Sequence, residues 1–237
     1  MLTLILVSAL ALCCTPLFAQ PKTLIEWTFE KPGDLEGWTP ANHIQELRVA
    51  DGALQGRIMD WDPFVRGPQF EIAATPYQRI ELRVKTDCGG GGEVFWTNTT
   101  ESPYGGFSPG KETPFQLVGD GEWHAYRIYP FWHNEKKIVL LRLDFARPAE
   151  ADNGKKTFAV DYIRLVDLGE PTQVTEDPAW DFTKGAHGWE AQDGGAAAAR
   201  PDGLRFTNGQ AASAFLYSGA LRCPVEDRFW VHLEMKV

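Results

Sequence analysis

The chain has 237 residues, 32 Asp+Glu against 23 Lys+Arg for a formal charge of −9, 43% hydrophobic residues and nine Trp. That composition belongs to a globular protein rather than a disordered one. An acidic balance with no basic run longer than two residues offers no electrostatic grip on nucleic acid or anionic lipid, so neither is an expected partner.

Residues 1–20 carry no charge, and the apolar run 2–14 has the length of a signal peptide but is too short to span a bilayer. Cleavage after Ala19 is predicted, which places the protein outside the cytoplasm, secreted or periplasmic, with no membrane insertion. The remaining cysteines, Cys88 and Cys223, fall in different halves of the chain and read as ordinary buried residues; no CxxC or Cys/His pair offers a zinc site.

From residue 24 onward the apolar pattern has period two. In 77–85, Ile80, Leu82 and Val84 alternate with Arg79, Glu81, Arg83 and Lys85, as in a half-buried strand. Similar segments are 24–30, 53–58, 93–97, 114–118, 123–129, 138–145 and 157–165, separated by Gly, Pro, Asn and Asp clusters. The run Gly89 to Gly92 is followed by a strand rather than a helix, so it reads as a flexible hairpin or ligand-rim loop and not as a phosphate cradle. The predicted class is all-β, an antiparallel β-sandwich of jelly-roll type.

The chain repeats itself. A shift of 151 residues lays Gly37-Trp38 on Gly188-Trp189 and Asp51-Gly52 on Asp202-Gly203, and Ile80, Leu82 and Val84 on Val231, Leu233 and Met235. With a two-residue gap, Trp27-Thr28-Phe29 falls on Trp180-Asp181-Phe182. The expected organisation is a signal peptide over 1–19, a complete module over 24–168, a linker over 169–178 and a truncated second copy over 179–237. Because residue 237 falls inside a predicted strand, the natural product is expected to be longer, and a downstream catalytic domain is one candidate for the added length.

Several marks occur in a fixed order: Trp27-Thr28-Phe29-Glu30, Gly37-Trp38, Asp51-Gly52-Ala53-Leu54, Gly121-Glu122-Trp123-His124, Leu141-Arg142-Leu143-Asp144 and Val160-Asp161-Tyr162-Ile163. In this order they resemble the galactose-binding-like jelly-roll carbohydrate-binding modules attached to secreted polysaccharide-degrading enzymes and sulfatases. The resemblance implies a structural calcium ion held by carboxylates of the first and last strands, here Glu30 and Asp161, with backbone carbonyls completing the shell. At the matching place in the second copy stands Thr183 or Lys184.

A sugar ring has apolar faces and polar edges, so its site needs flat aromatic platforms ringed by hydrogen-bonding groups. Trp61, Tyr104 and Trp132 lie in turn-rich sequence, and Trp96 faces opposite to Phe95; these four are the candidate platforms. Arg142 and Asp144 alternate with apolar neighbours, so they either line a concave face and bind hydroxyls or pair with one another on a wet sheet. No GxSxG, HExxH or sulfatase motif is present, and among the acids Glu93, Glu122 and Asp144 no spacing singles out a glycosidase pair. Three functions are compatible with these residues. A non-catalytic module tethering a secreted protein to a polysaccharide is the leading one; a β-sandwich spacer with no small ligand, or a β-sandwich hydrolase or lyase, are the others.

Overall fold

The computed structural model describes residues 21–101, 103–170, 179–192, 195–207 and 215–218, the side chain of Tyr104 excepted. The predicted signal peptide, most of the linker, Cys223 and the strand carrying Val231 lie outside the described residues.

Thirteen strands build the first unit: β1 Lys22–Trp27, β2 Thr39–Asn42, β3 Ile44–Ala50, β4 Ala53–Ile58, β5 Phe64–Arg66, β6 Ile72–Ala73, β7 Gln78–Thr86, β8 Gly90–Thr97, β9 Glu112–Leu117, β10 Trp123–Ile128, β11 Lys137–Ile138, β12 Leu140–Asp144 and β13 Lys156–Asp167. One sheet has the order β10-β7-β13-β4-β3, with β1 also paired to β13; the second has the order β2-β5-β12-β8-β9; β6 and β11 form a short ribbon. All pairings are antiparallel. Alternation decides which residues meet between the sheets. Ile80, Leu82 and Val84 of β7 and Val160, Ile163 and Leu165 of β13 share one buried core with Val94 of β8, Phe115 and Leu117 of β9 and Leu141 and Leu143 of β12. Apolar inner faces opposed across one core make this an antiparallel β-sandwich, in agreement with the sequence pattern. Among the described residues no helix is long and apolar enough to cross a membrane.

In the first unit, two strands longer than three residues were not legible in the sequence, β2 and β3, which hold Pro40 and a bulge between Gln45 and Arg48 respectively. The glycine run is a correction. It is no flexible rim: β8 already begins at Gly90, and a Cβ on Gly119 would stand 2.0 Å from the backbone nitrogen of Gly89. Two chain segments therefore touch backbone to backbone there, which only glycine permits. Cys88 beside it is buried, and burial pushes its thiol up.

Beyond the first unit lie β14 Glu190–Gln192, β15 Ala196–Arg200, β16 Gly203–Thr207 and β17 Phe215–Tyr217, paired as β14 with β17 and as the hairpin β15–β16. Trp180 stands edge-on to Trp189 with ring centroids 5.2 Å apart; Trp27 and Trp38 meet edge-on at 5.5 Å. Asp51-Gly52 turns β3 into β4, and residues 201–202 turn β15 into β16.

Candidate functional site

The outward face of the five-stranded sheet is laid out by register. One transverse row crosses all five strands as Thr39, Arg66, Arg142, Phe95 and Glu112; the next runs Asn42, Phe64, Asp144, Glu93 and Pro114. With about 4.8 Å between neighbouring strands, each row spans roughly 19 Å. Phe107, over Phe95 and Leu140, covers one end of this face, and the loop between β4 and β5 borders the other.

Arg142 organises the centre. Its guanidinium donates to both oxygens of Asp144, at 2.7 and 2.5 Å, and to Asp62 Oδ1 at 3.0 Å. It lies over the Phe64 ring at 3.5 Å and the Phe95 ring at 4.6 Å, a cation held between two aromatic faces. Asp144 is only 5% exposed, and its burial outweighs the adjacent guanidinium, pushing the carboxyl up to about 7. Asp62 is held in turn by Asn42, whose side-chain amide donates to the Asp62 carbonyl at 2.6 Å and to its carboxylate at 3.3 Å.

Trp61 precedes Asp62 in that loop and is 56% exposed, with its amide held by Asp60 Oδ1 at 2.8 Å. The His43 ring lies 5.7 Å from the indole, and His43 Nδ1 contacts the Trp61 carbonyl. His43, between β2 and β3, and Asp62, in the loop, both adopt positive φ, +45° and +50°, a conformation rare for residues other than glycine. A half-exposed ring face thus stands at the lip of a floor made of Asn42, Asp62, Arg142 and Asp144.

Of the residues nominated from sequence, Trp61, Arg142 and Asp144 gather here. Tyr104 opens a short 3-10 turn, Tyr104–Gly106, whose Gly105 lies against the Arg66 guanidinium at the same face. Trp96 and Trp132 are corrections. Both are buried, they meet edge-on at 6.1 Å, and Trp132 Nε1 donates to Gln78 Oε1 at 2.9 Å, so neither presents a ring to a ligand. The parity of β8 held the signal: Trp96 shares its face with Val94, whereas Phe95 shares its face with Glu93. Sequence reasoning also missed Asp62, Phe64, Arg66 and Asn42, which only strand pairing brings beside Arg142.

The two carboxylates of the calcium expectation stand in different surroundings. Asp161 sits at a bulge of β13 and accepts from Arg83 at 2.7 Å, whereas Glu30 is exposed near the Asp51-Gly52 turn. Among the described residues no group of three or more His, Cys, Asp or Glu is placed to hold a metal.

No protein-family model matches the chain, and no curated protein matches it. Solved structures to which it is similar include a cleaved adhesin domain of Lys-gingipain from Porphyromonas gingivalis, at 9% identity over 61% of this chain and 98% of that one, TM-score 0.43. Another is the C-terminal CBM6 of LamC, a marine laminarinase from Zobellia galactanivorans, at 11% identity over 58% and 98%, TM-score 0.40. A third is the laminarinase from Rhodothermus marinus, at 14% identity over 62% and 98%, TM-score 0.38.

Proposed function

We propose that the outward face of the five-stranded sheet binds a polysaccharide without transforming it, and that the chain serves to hold a secreted protein on that glycan. The observation that carries this reading is the exposed indole of Trp61 at the edge of a polar floor. The ring supplies an apolar platform for a sugar face, and Asn42, Asp62 and Arg142 supply donors and acceptors for its hydroxyls, with Asp144 holding Arg142 in place. Binding rather than catalysis is favoured because the buried carboxylate at the centre, Asp144, is tied to Arg142 through both oxygens and is not aimed at solvent. A second, tandem unit beginning near Trp180 is part of the same proposal, supported by the recurrent edge-on indole pair; two weak sites on one chain raise avidity through effective concentration.

The test is retardation of the full chain through gels containing neutral and acidic polysaccharides, compared with Trp61→Ala and with an assay for released reducing ends. Saturable retardation on one glycan is expected, weakened at least about tenfold in the variant, or about 1.4 kcal/mol. A folded sample that no polysaccharide retards overturns the reading in favour of a structural spacer. New reducing ends overturn its non-catalytic part.

A further inference from the structure

Arg66 differs from the other cations around the ligand-facing sheet. Arg142 is paired with Asp62 and Asp144, and Lys111 with Glu135, but among the described residues the Arg66 guanidinium has no carboxylate partner. Its neighbours are the Phe107 ring, 6.0 Å from the guanidinium carbon, and Gly105, where a Cβ would come within 3.0 Å of Nη2. Gly105, whose φ of +67° also suits glycine, lets this turn pass close against the guanidinium. Directly across the ladder from Arg66 stands Arg142, and like charges in register repel. Asp62 and Asp144 hydrogen-bond Arg142 and not Arg66. In a chain with 32 acidic residues, a half-buried guanidinium on a candidate ligand face without an acid beside it is matched by an acid that arrives with the ligand.

The far side of the same face has the opposite character. Glu93 and Glu112 lie on β8 and β9, and Glu112 Oε2 is buried and, among the described residues, accepts no hydrogen bond. Three strand spacings separate Arg66 from Glu112, about 14 Å, which exceeds the screening length of about 8 Å at physiological salt. A polymer with a carboxylate on every sugar would lay negative charge over both glutamates. A chain of neutral sugars bearing a carboxylate at intervals would set one carboxylate on Arg66 and bring no added negative charge beside Glu112.

We propose that Arg66 forms a subsite for the carboxylate of a uronic acid carried at intervals on an otherwise neutral glycan. The inference rests on the reading of this face as glycan-binding and adds the class of glycan to it. The test uses the full chain with glucuronoxylan and gum arabic, each intact and after reduction of its carboxyl groups to alcohols, and with polygalacturonate as the fully acidic arm. The expected result is at least about tenfold tighter retention by intact than by reduced polymer, a gap that shrinks between low and high salt and disappears in Arg66→Met without change in retention by the reduced polymer. Equal retention of the native protein on intact and reduced forms overturns the subsite and needs no variant to be folded. So does a preference that survives Arg66→Met, or tightest retention on polygalacturonate. Failure of a folded sample to bind any of these polymers counts instead against the glycan-binding reading on which the subsite rests.

Discussion

Nine tryptophans invite a single explanation for the ring, yet their surroundings divide them by physics. Trp61 can lose its indole with little effect on folding, because most of its surface is already in water; Trp61→Ala is expected to change unfolding free energy by no more than about 0.5 kcal/mol while producing the at least about tenfold loss of retention that the proposed glycan-binding face requires. Trp132 is fully buried, with its N–H donated to Gln78, and Trp132→Ala is expected to cost about 3–5 kcal/mol in urea unfolding. Asp144 carries a pH prediction. Its carboxyl is raised in the folded chain from about 3.8 to about 7, so the native state holds a proton that the unfolded state has released throughout that interval. The stabilisation is complete below about pH 3.8 and is lost as pH rises through 7, by on the order of 4 kcal/mol at most. Asp144→Asn is expected to flatten the stability profile between about pH 4 and 8; an unchanged slope would assign the pH dependence to other groups. At this scale the sequence was half legible. Trp61 could be read from Asp60-Trp61-Asp62-Pro63, whose composition forces a turn, but the burial of Trp132 depends on Gln78, 54 residues away, and leaves no local mark.

Period two located strands because alternation is a property of the pleat itself. The segment 53–58 coincides with β4, and 77–85 misses β7 by one residue at each end. Where strands contain proline or a bulge the alternation breaks, so β2 and β3 passed unread, and with them Thr39 and Asn42 at the edge of the site. The glycine run was misread for a related reason: composition reports what a backbone is free to do, not that a second backbone presses against it. Gly119→Ala, which would drive a Cβ to 2.0 Å from the Gly89 nitrogen, is expected to destabilise by about 1–3 kcal/mol or more in thermal unfolding. Gly91→Ala, with nothing within 4 Å of the new methyl, is the control and should leave the midpoint almost unmoved.

Across the whole chain, the two regions touch at β10, an edge strand of the larger sheet. Tyr129 just beyond it donates its hydroxyl to Glu190 at 3.0 Å, its amide donates to Gln192 Oε1 at 3.1 Å, and its ring stacks on Tyr217 at 5.3 Å; Arg127 adds an ion pair to Glu190 at 3.1 Å. Tyr129→Phe and Glu190→Gln should therefore be non-additive, with a coupling of about 0.5–1.5 kcal/mol in a double-mutant cycle; simple additivity would mean the contact is not held in solution. This junction left no local mark in the sequence, because Tyr129 and Glu190 lie 61 residues apart.

The unequal placement of the indoles also makes the protein its own optical probe. Trp27, Trp38, Trp96 and Trp132 are shielded from collisions with solutes, while Trp61 is the most exposed of the described tryptophans. A small aqueous quencher should remove a red-shifted fraction of the emission first, and an occupant resting on that ring should protect the same fraction. Occupancy of the face can then be followed in unlabelled protein by the colour and accessibility of its emission, with the buried rings as an internal standard.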